Sequence, residues 1–275
     1  MLLAMLAVVV LVAAPGCARR EPDPQRTVVA SFYALAWAAE QVAPDSIDQV
    51  VDLTPAGAEP HDLELTPRDV ETIRDAYLVV YLSGGFQPAV EEAVAGRERP
   101  SVDVLEGDSD PHIWLDPVRF ARAVERIAEG IGGRDTGSAG PVLGALERLD
   151  AAYRRGLAHC ERRVLVTTHA SFGRLAERYG LTALTLAGRA PEAEPSPREL
   201  ERIVEQVRAS GATTVFAEPL VSPRLAETVA REAGAEVATL DPIEGLSEER
   251  LAAGEDYLSV MRTNLATLRE ALGCR

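Results

Sequence analysis

Short runs of β-branched and apolar residues alternate with longer stretches of helical periodicity through most of this chain, and that alternation constrains its fold more than any other feature. TVVAS (27–31), IDQVVDL (47–53), YLVVYL (77–82) and VDVL (102–105) read as strands in the first half. RRVLVTT (162–168), LTALTL (181–186), ATTVFA (212–217) and AEVATL (235–240) read as strands in the second. The helical patterns between them carry their own punctuation. Thr66 precedes Pro67 and Asp69, which predicts an N-cap, a proline at the first helical position and an acid in the first turn. Ser196 and Pro197 repeat the device, and Gly211 predicts where that helix stops. Strands joined through helices run parallel, and parallel sheets are covered on both faces, so the expected fold class is α/β.

The stretch IGGRDTGSAGP (131–141) is rich in glycine and polar residues and separates two halves of similar architecture. VLGALERLDAAYRRGLAHC follows with apolar residues at helical spacing. The expected organisation is two parallel-sheet α/β lobes, 27–135 and 161–275, joined by a single long linker helix at 136–160. No short-period repeat accompanies the likeness of the halves.

Upstream, MLLAMLAVVVLVAAPGC is an apolar run too short to span a bilayer, ending in small residues and Cys17. Residues 1–17 are expected to be an export signal, with Cys17 lipidated and residues 18–26 a polar tether. No basic residue precedes the run, and Pro15 stands where a lipobox carries a small non-proline residue. The expected location is the outer face of the cytoplasmic membrane, where firm anchorage takes more than one acyl chain. The two remaining cysteines, Cys160 and Cys274, form an even pair, which in an exported chain predicts a disulfide fastening the C-terminal helix to the start of the second half. The formal net charge of −15, with no lysine, argues against a nucleic-acid partner, because phosphate binding needs a basic surface.

Three of the four histidines share one context, just beyond a predicted strand. His61 follows IDQVVDLTPAGAEP, His112 follows VDVLEGDSDP, and His169 directly follows RRVLVTT. Glu218 and Asp241 close two later strands in the same way. Ligands of open α/β sheets bind beyond the carboxyl ends of the strands, so these side chains are expected to converge between the lobes. Three neutral imidazoles with one or two carboxylates suit a borderline divalent ion such as Zn2+; softer ions call for sulfur and harder ones for oxygen. His159, at the end of the linker helix, is expected to be a helix-end residue. Asp116, before PVRFARAVERIAEGI, is expected to cap the next helix, with Trp114 packed beneath the turn.

These segments resemble the metal-specific substrate-binding proteins of ABC importers, in particular the zinc group. The resemblance rests on PHDLELTPRDVETIRDAYLVVYLSGGFQPAVE, DPHIWLDP, THASFGRLAERYGL, and FAEP followed by TLDPIEGL, in that order over nearly the whole mature chain. It implies His61, His112, His169 and Asp241 as metal ligands, with Glu218 and Glu59 beside the coordination set rather than in it. Relatives that carry manganese have a carboxylate where this chain has His169, so the resemblance favours zinc. It also implies two lobes bridged by a rigid helix; because the ligands are drawn from both lobes, the metal is expected to clamp the angle between them. The expected role is non-enzymatic: a monomer that captures Zn2+ as cargo and delivers it to an ABC permease and its ATPase. Manganese or another divalent ion is the alternative cargo; an exported zinc hydrolase or a metal-stabilised adhesion lipoprotein is the alternative role. The long His-rich loop of many zinc members is missing, since Gly84 to Pro111 holds no histidine, only acids such as Asp108 and Asp110.

Overall fold

All eight runs read as strands form strands in the computed structural model, which describes residues 26–105, 107–132, 139–187 and 195–275. The export signal, Cys17 and all but the last residue of the expected tether lie outside the described residues. The strands are β1 (Thr27–Ala30), β2 (Gln49–Asp52), β3 (Leu78–Tyr81), β4 (Ser101–Asp103), β5 (Val164–Thr167), β6 (Thr182–Thr185), β7 (Thr214–Ala217) and β8 (Glu236–Thr239). The helices described in the first half are α1 (Tyr33–Val42), α2 (Pro67–Asp75), α3 (Pro88–Ala95), α4 (Pro117–Gly132) and α5 (Gly140–Gly156). The second half adds α6 (Gly173–Tyr179), α7 (Pro197–Ser210), α8 (Arg224–Ala233), α9 (Glu248–Ala252) and α10 (Tyr257–Leu272).

Each half builds one parallel sheet, in the orders β2-β1-β3-β4 and β6-β5-β7-β8. The helix starts follow the sequence signals. Thr66 accepts from the Asp69 amide while Asp69 accepts from the Thr66 amide, and Ser196 and Glu199 form the same reciprocal pair. Gly211 ends α7 at φ 68°, a left-handed conformation that costs glycine little.

Alternation along the strands divides each sheet between two cores. Val29 and Val79 point to an outer layer with Ile73 and Val90, and Val166, Val215 and Ala217 do the same with Val207 and Val229. Their neighbours Val28, Ala30, Leu78, Val80, Leu165 and Phe216 face a single central core that runs through both halves. The two sheets therefore do not own separate interiors. Trp114 Nε1 donates to the Pro242 carbonyl at 2.6 Å, and the Tyr257 hydroxyl donates to the Trp114 carbonyl at 2.5 Å, stitching first-half to second-half residues at 0% exposure of both rings. The chain crosses between sheets through α4, which covers the first sheet, and then α5, whose Tyr153 donates to the Met261 carbonyl of α10 at 2.7 Å.

Cys160 and Cys274 are joined as a disulfide across a sequence separation of 114. The last residue of α10 also pairs with the start of the second half, the Arg162 amide donating to the Leu272 carbonyl at 3.0 Å. Closing so long a loop restricts the unfolded chain, and loss of such a bond costs about 2–5 kcal/mol. A Cys160→Ser/Cys274→Ser variant should therefore unfold at a lower urea midpoint, with a slope equal to or somewhat steeper than the parent's because its unfolded chain is less compact. An unchanged midpoint would show that the backbone hydrogen bonds alone hold this end.

Candidate metal centre

Three imidazoles and one carboxylate converge in the cleft beyond the strand ends. His61 Nε2, His112 Nε2 and His169 Nε2 lie 3.4, 3.3 and 3.2 Å from the same oxygen, Glu244 Oε1. All four groups present ligand atoms within 4.8 Å of one another. For Zn–N and Zn–O bonds of roughly 2.0–2.1 Å, the edge of a tetrahedron is about 3.3 Å, which the three N···O separations match. His112 and His169 are fully buried, His61 nearly so, and Glu244 is 1% exposed. Nε2 of His61 and of His112 and Oε2 of Glu244 are buried without a well-formed hydrogen bond. Native interiors rarely leave such groups unsatisfied, and a cation held among the three Nε2 atoms and Oε1 would satisfy both imidazole nitrogens.

Each histidine is aimed by local structure. His61 sits in a short 3-10 turn, Pro60–Asp62, where Glu59 accepts from its amide at 3.2 Å. Phe86 packs edge-on against its ring at 4.5 Å between centroids. His112 follows Asp110, whose Oδ1 accepts from the His112 amide at 3.1 Å and contacts Nδ1 at 2.8 Å. That contact fixes Nδ1–H and leaves Nε2 free to ligate. Downstream, Trp114 is fully buried against Phe32 and Phe86, and Asp116 caps α4 by accepting from the Val118 amide at 2.9 Å. His169 follows β5, with Nδ1 2.6 Å from Glu218 Oε2, an ion pair poorly aligned for a hydrogen bond. Glu218 also accepts from the Thr168 hydroxyl and from the His169 amide.

The fourth group corrects the sequence reading. Asp241 does not join the cluster: its Oδ1 accepts from the Ile243 amide at 2.7 Å, and its Oδ2 accepts from Arg250 at 2.6 Å. Both oxygens are committed. Ile243 stands at φ 57°, a conformation that costs a β-branched residue about 1–3 kcal/mol, and the Asp241 contact supports it. This turn swings Glu244, the next residue, into the cleft. The sequence signal for Glu244 is slight: a lone acid inside the apolar run PIEGL just beyond β8. Glu218 stands against His169, and Glu59 touches His61 only through its backbone amide. Asp110, missed as a partner of His112, has the i−2 spacing of an Asx turn as its only local signal.

Burial and neighbouring charge oppose each other at these groups. Burial disfavours charge on His169, but Glu218 and Glu244 outweigh it and push its pKa up to about 10. Burial likewise opposes charge on His112, and Asp110 and Glu244 raise its pKa nonetheless. Burial would raise Glu244, yet its three imidazole neighbours hold it well below the usual carboxylate range. Glu59, buried and facing the Glu244 charge, is pushed up to about 8.

Comparison with known proteins agrees with this chemistry. A family model described as ZnuA, zinc-uptake complex component A, periplasmic, matches residues 28–271. The high-affinity zinc uptake system protein ZnuA of Bacillus subtilis is 31% identical over 279 residues, covering 89% of this chain and 87% of its own. The zinc-binding lipoprotein AdcA of Streptococcus pneumoniae is 32% identical over 303 residues, covering 98% of this chain, which spans only 60% of that relative's length. Among solved structures, the Zn(II)-bound ZnuA-like domain of that AdcA matches with a TM-score of 0.76 at 32% identity, over 90% of this chain and 99% of the other. The laminin-binding protein Lmb of Streptococcus agalactiae, described as having adhesin and metal-transporting activity, matches with a TM-score of 0.81 at 31% identity, over 90% and 99%.

Proposed function

We propose that this chain, which belongs to the ZnuA family of periplasmic zinc-uptake components, captures one Zn2+ outside the cytoplasm and delivers it to an ABC permease and its ATPase. The observation that carries the reading is the set of three imidazole nitrogens 3.2–3.4 Å from one Glu244 oxygen. The ligands are then His61, His112, His169 and Glu244, and the metal is cargo. Three nitrogens and one oxygen favour Zn2+ over Mn2+, which prefers oxygen. A catalytic zinc keeps one position open for water, whereas Glu244 fills the fourth position here, so a hydrolase is the poorer reading. The lipoprotein relative supports acylation of Cys17 and anchorage on the outer membrane face.

The shared core changes the expected mechanics. A wide hinge rotation would tear the Trp114–Pro242 and Tyr257–Trp114 bonds and expose the central core. Entry and exit of the metal therefore proceed through the ligand-bearing loops over a fixed floor. A permease would read the shape and charge of those loops.

Native mass spectrometry after exposure to equimolar Zn2+, Mn2+ and Cu2+ tests the cargo, and one zinc per chain is the expected result. Uptake of manganese in preference to zinc would overturn the assignment. Calorimetry tests the role. Zinc at 1,000 times its Kd adds about 4.1 kcal/mol to a folded apo protein. At roughly 2–4 °C per kcal/mol for a chain of this size, Tm should rise by about 8–16 °C. If chelation instead abolishes the unfolding transition, the ion is a structural element.

A further inference from the structure

We propose that Arg174 is a positioning residue for zinc retention: it reaches across the cleft to the Asp108–Asp110 segment, holds the carboxylate that orients His112, and so sets how fast the metal leaves. The inference rests on the zinc reading of the four-residue cluster.

Arg174, the second residue of α6, belongs to the second half of the chain. Its Nη2 bonds Asp108 Oδ1 and lies 3.4 Å from Ser109 Oγ, and its Nε lies 3.9 Å from Asp110 Oδ2. The other Asp108 oxygen accepts from Arg119 of α4 at 2.5 Å. One carboxylate therefore sits between two guanidinium groups, one from each half. Its neighbour Asp110 in turn contacts His112 Nδ1 at 2.8 Å. A polar path runs from α6 to a metal ligand: Asp108 Oδ1, bonded by Arg174, also accepts from the Asp110 amide at 3.2 Å, while the direct Arg174–Asp110 approach at 3.9 Å is electrostatic only. The side chains are only 10% (Asp108), 18% (Arg174) and 22% (Asp110) exposed, so water screens these charges less than it would an ordinary surface pair. Gly173 completes the fit: a Cβ there would stand 2.8 Å from Asp110 Oδ2, so glycine leaves room for that carboxylate beside α6.

The floor of the site is locked by the central core, whereas this outer wall is held by ion pairs. Breaking them frees Asp110, and His112 loses the partner that fixes its tautomer and ring plane. The same helix supplies a control. Arg178 pairs with Asp150 at 2.6 Å and Asp116 at 3.2 Å, equally close to the interface but touching neither a histidine nor its partner.

The experiment is stopped-flow transfer of zinc from the loaded protein to excess chelator, with Tm recorded for each variant. Arg174→Ala should raise the zinc dissociation rate about tenfold, the low end for loss of a ligand's supporting partner. Arg174→Lys should recover part of that loss, since an ammonium keeps the charge without the planar fork. Added salt should speed release from the parent and leave Arg174→Ala nearly unaffected. Arg174→Ala/Asp110→Asn should be no faster than the faster single variant, because both act on one path. Arg178→Ala should lower Tm with release within about twofold of the parent. A parent that binds zinc, with Arg174→Ala releasing it at the parent rate or Arg178→Ala accelerating it equally, overturns this inference alone. A parent that takes up no zinc overturns the zinc reading and this inference with it.

Discussion

Glu244→Ala should weaken zinc binding by more than the roughly 10–100-fold that follows loss of a supporting partner, because it removes a coordinating oxygen outright. The single changes His61→Ala, His112→Ala and His169→Ala should fall in the same range. Asp241→Ala is the informative contrast. Asp241 braces the Ile243 turn and pairs with Arg250, so its loss loosens the aim of Glu244 without deleting a ligand. Its expected effect on affinity is about tenfold, accompanied by a lower Tm from the lost brace on the Ile243 turn and the lost Asp241–Arg250 ion pair, with Arg250 keeping only Glu255. Competition titration against a zinc chelator measures both. If Asp241→Ala proves the more damaging to affinity while Glu244→Ala binds within a few-fold of the parent, the ligand assignment made from the geometry is wrong.

Acidification should weaken zinc binding steeply. Imidazole must be neutral to ligate, so each histidine protonated in the free protein adds a factor of about ten in affinity per pH unit. His169 keeps its proton until about pH 10, and His112 titrates above its ordinary range. Between about pH 8 and about pH 6, at least one proton is displaced, and a second as the pH falls below the raised His112 value. Affinity should therefore drop by roughly 10²-fold if one proton is released and up to about 10⁴-fold if two are. Stability of the metal-free protein should move the other way. The folded pKa of His169 lies above its unfolded value of 6.5, so the contribution is fully present below that value and is lost as the pH rises towards about 10. The apo Tm should fall over the interval in which zinc affinity rises. Calorimetry in buffers of different ionisation enthalpy would count the protons released near neutrality, and a count of zero would contradict the protonated site described here.

Local chemistry makes the architecture readable in the sequence. Thr66 with Asp69 and Ser196 with Glu199 announced their helices because capping depends on residues three apart. The strands were visible as short β-branched and apolar runs: β1, β3, β5 and β7 are buried nearly throughout, and the edge strands β2, β4, β6 and β8 keep the β-branched pattern although they are only partly covered. The histidines could be gathered because the ends of parallel strands share one edge of a sheet, so a residue just past a strand is already near the site. Cys160 and Cys274 were pairable by count, and the structure bonds them.

The choice between Asp241 and Glu244 was of another kind. Both acids follow β8, and the nearer one fits the rule that placed His169. What separates them is the left-handed turn at Ile243 and the arrival of Arg250 from α9, which engages Asp241 before a metal could. Neither leaves a mark in local sequence. The single core running through both halves was equally hidden, since alternation in a strand says which residues are buried but not which partner buries them. Nor could composition show that Arg174 and Arg119 meet on Asp108. By itself, then, the sequence determined the two α/β halves, the strand ends that carry the three histidines, and the charge and donor types that point to a divalent cation. Periodicity, capping and strand-end position are short-range properties, and short-range chemistry settles them. Which carboxylate completes the site, how firmly the halves are joined and what steadies the outer wall were decided only by the tertiary structure, because each depends on groups far apart in the chain competing for the same few ångströms.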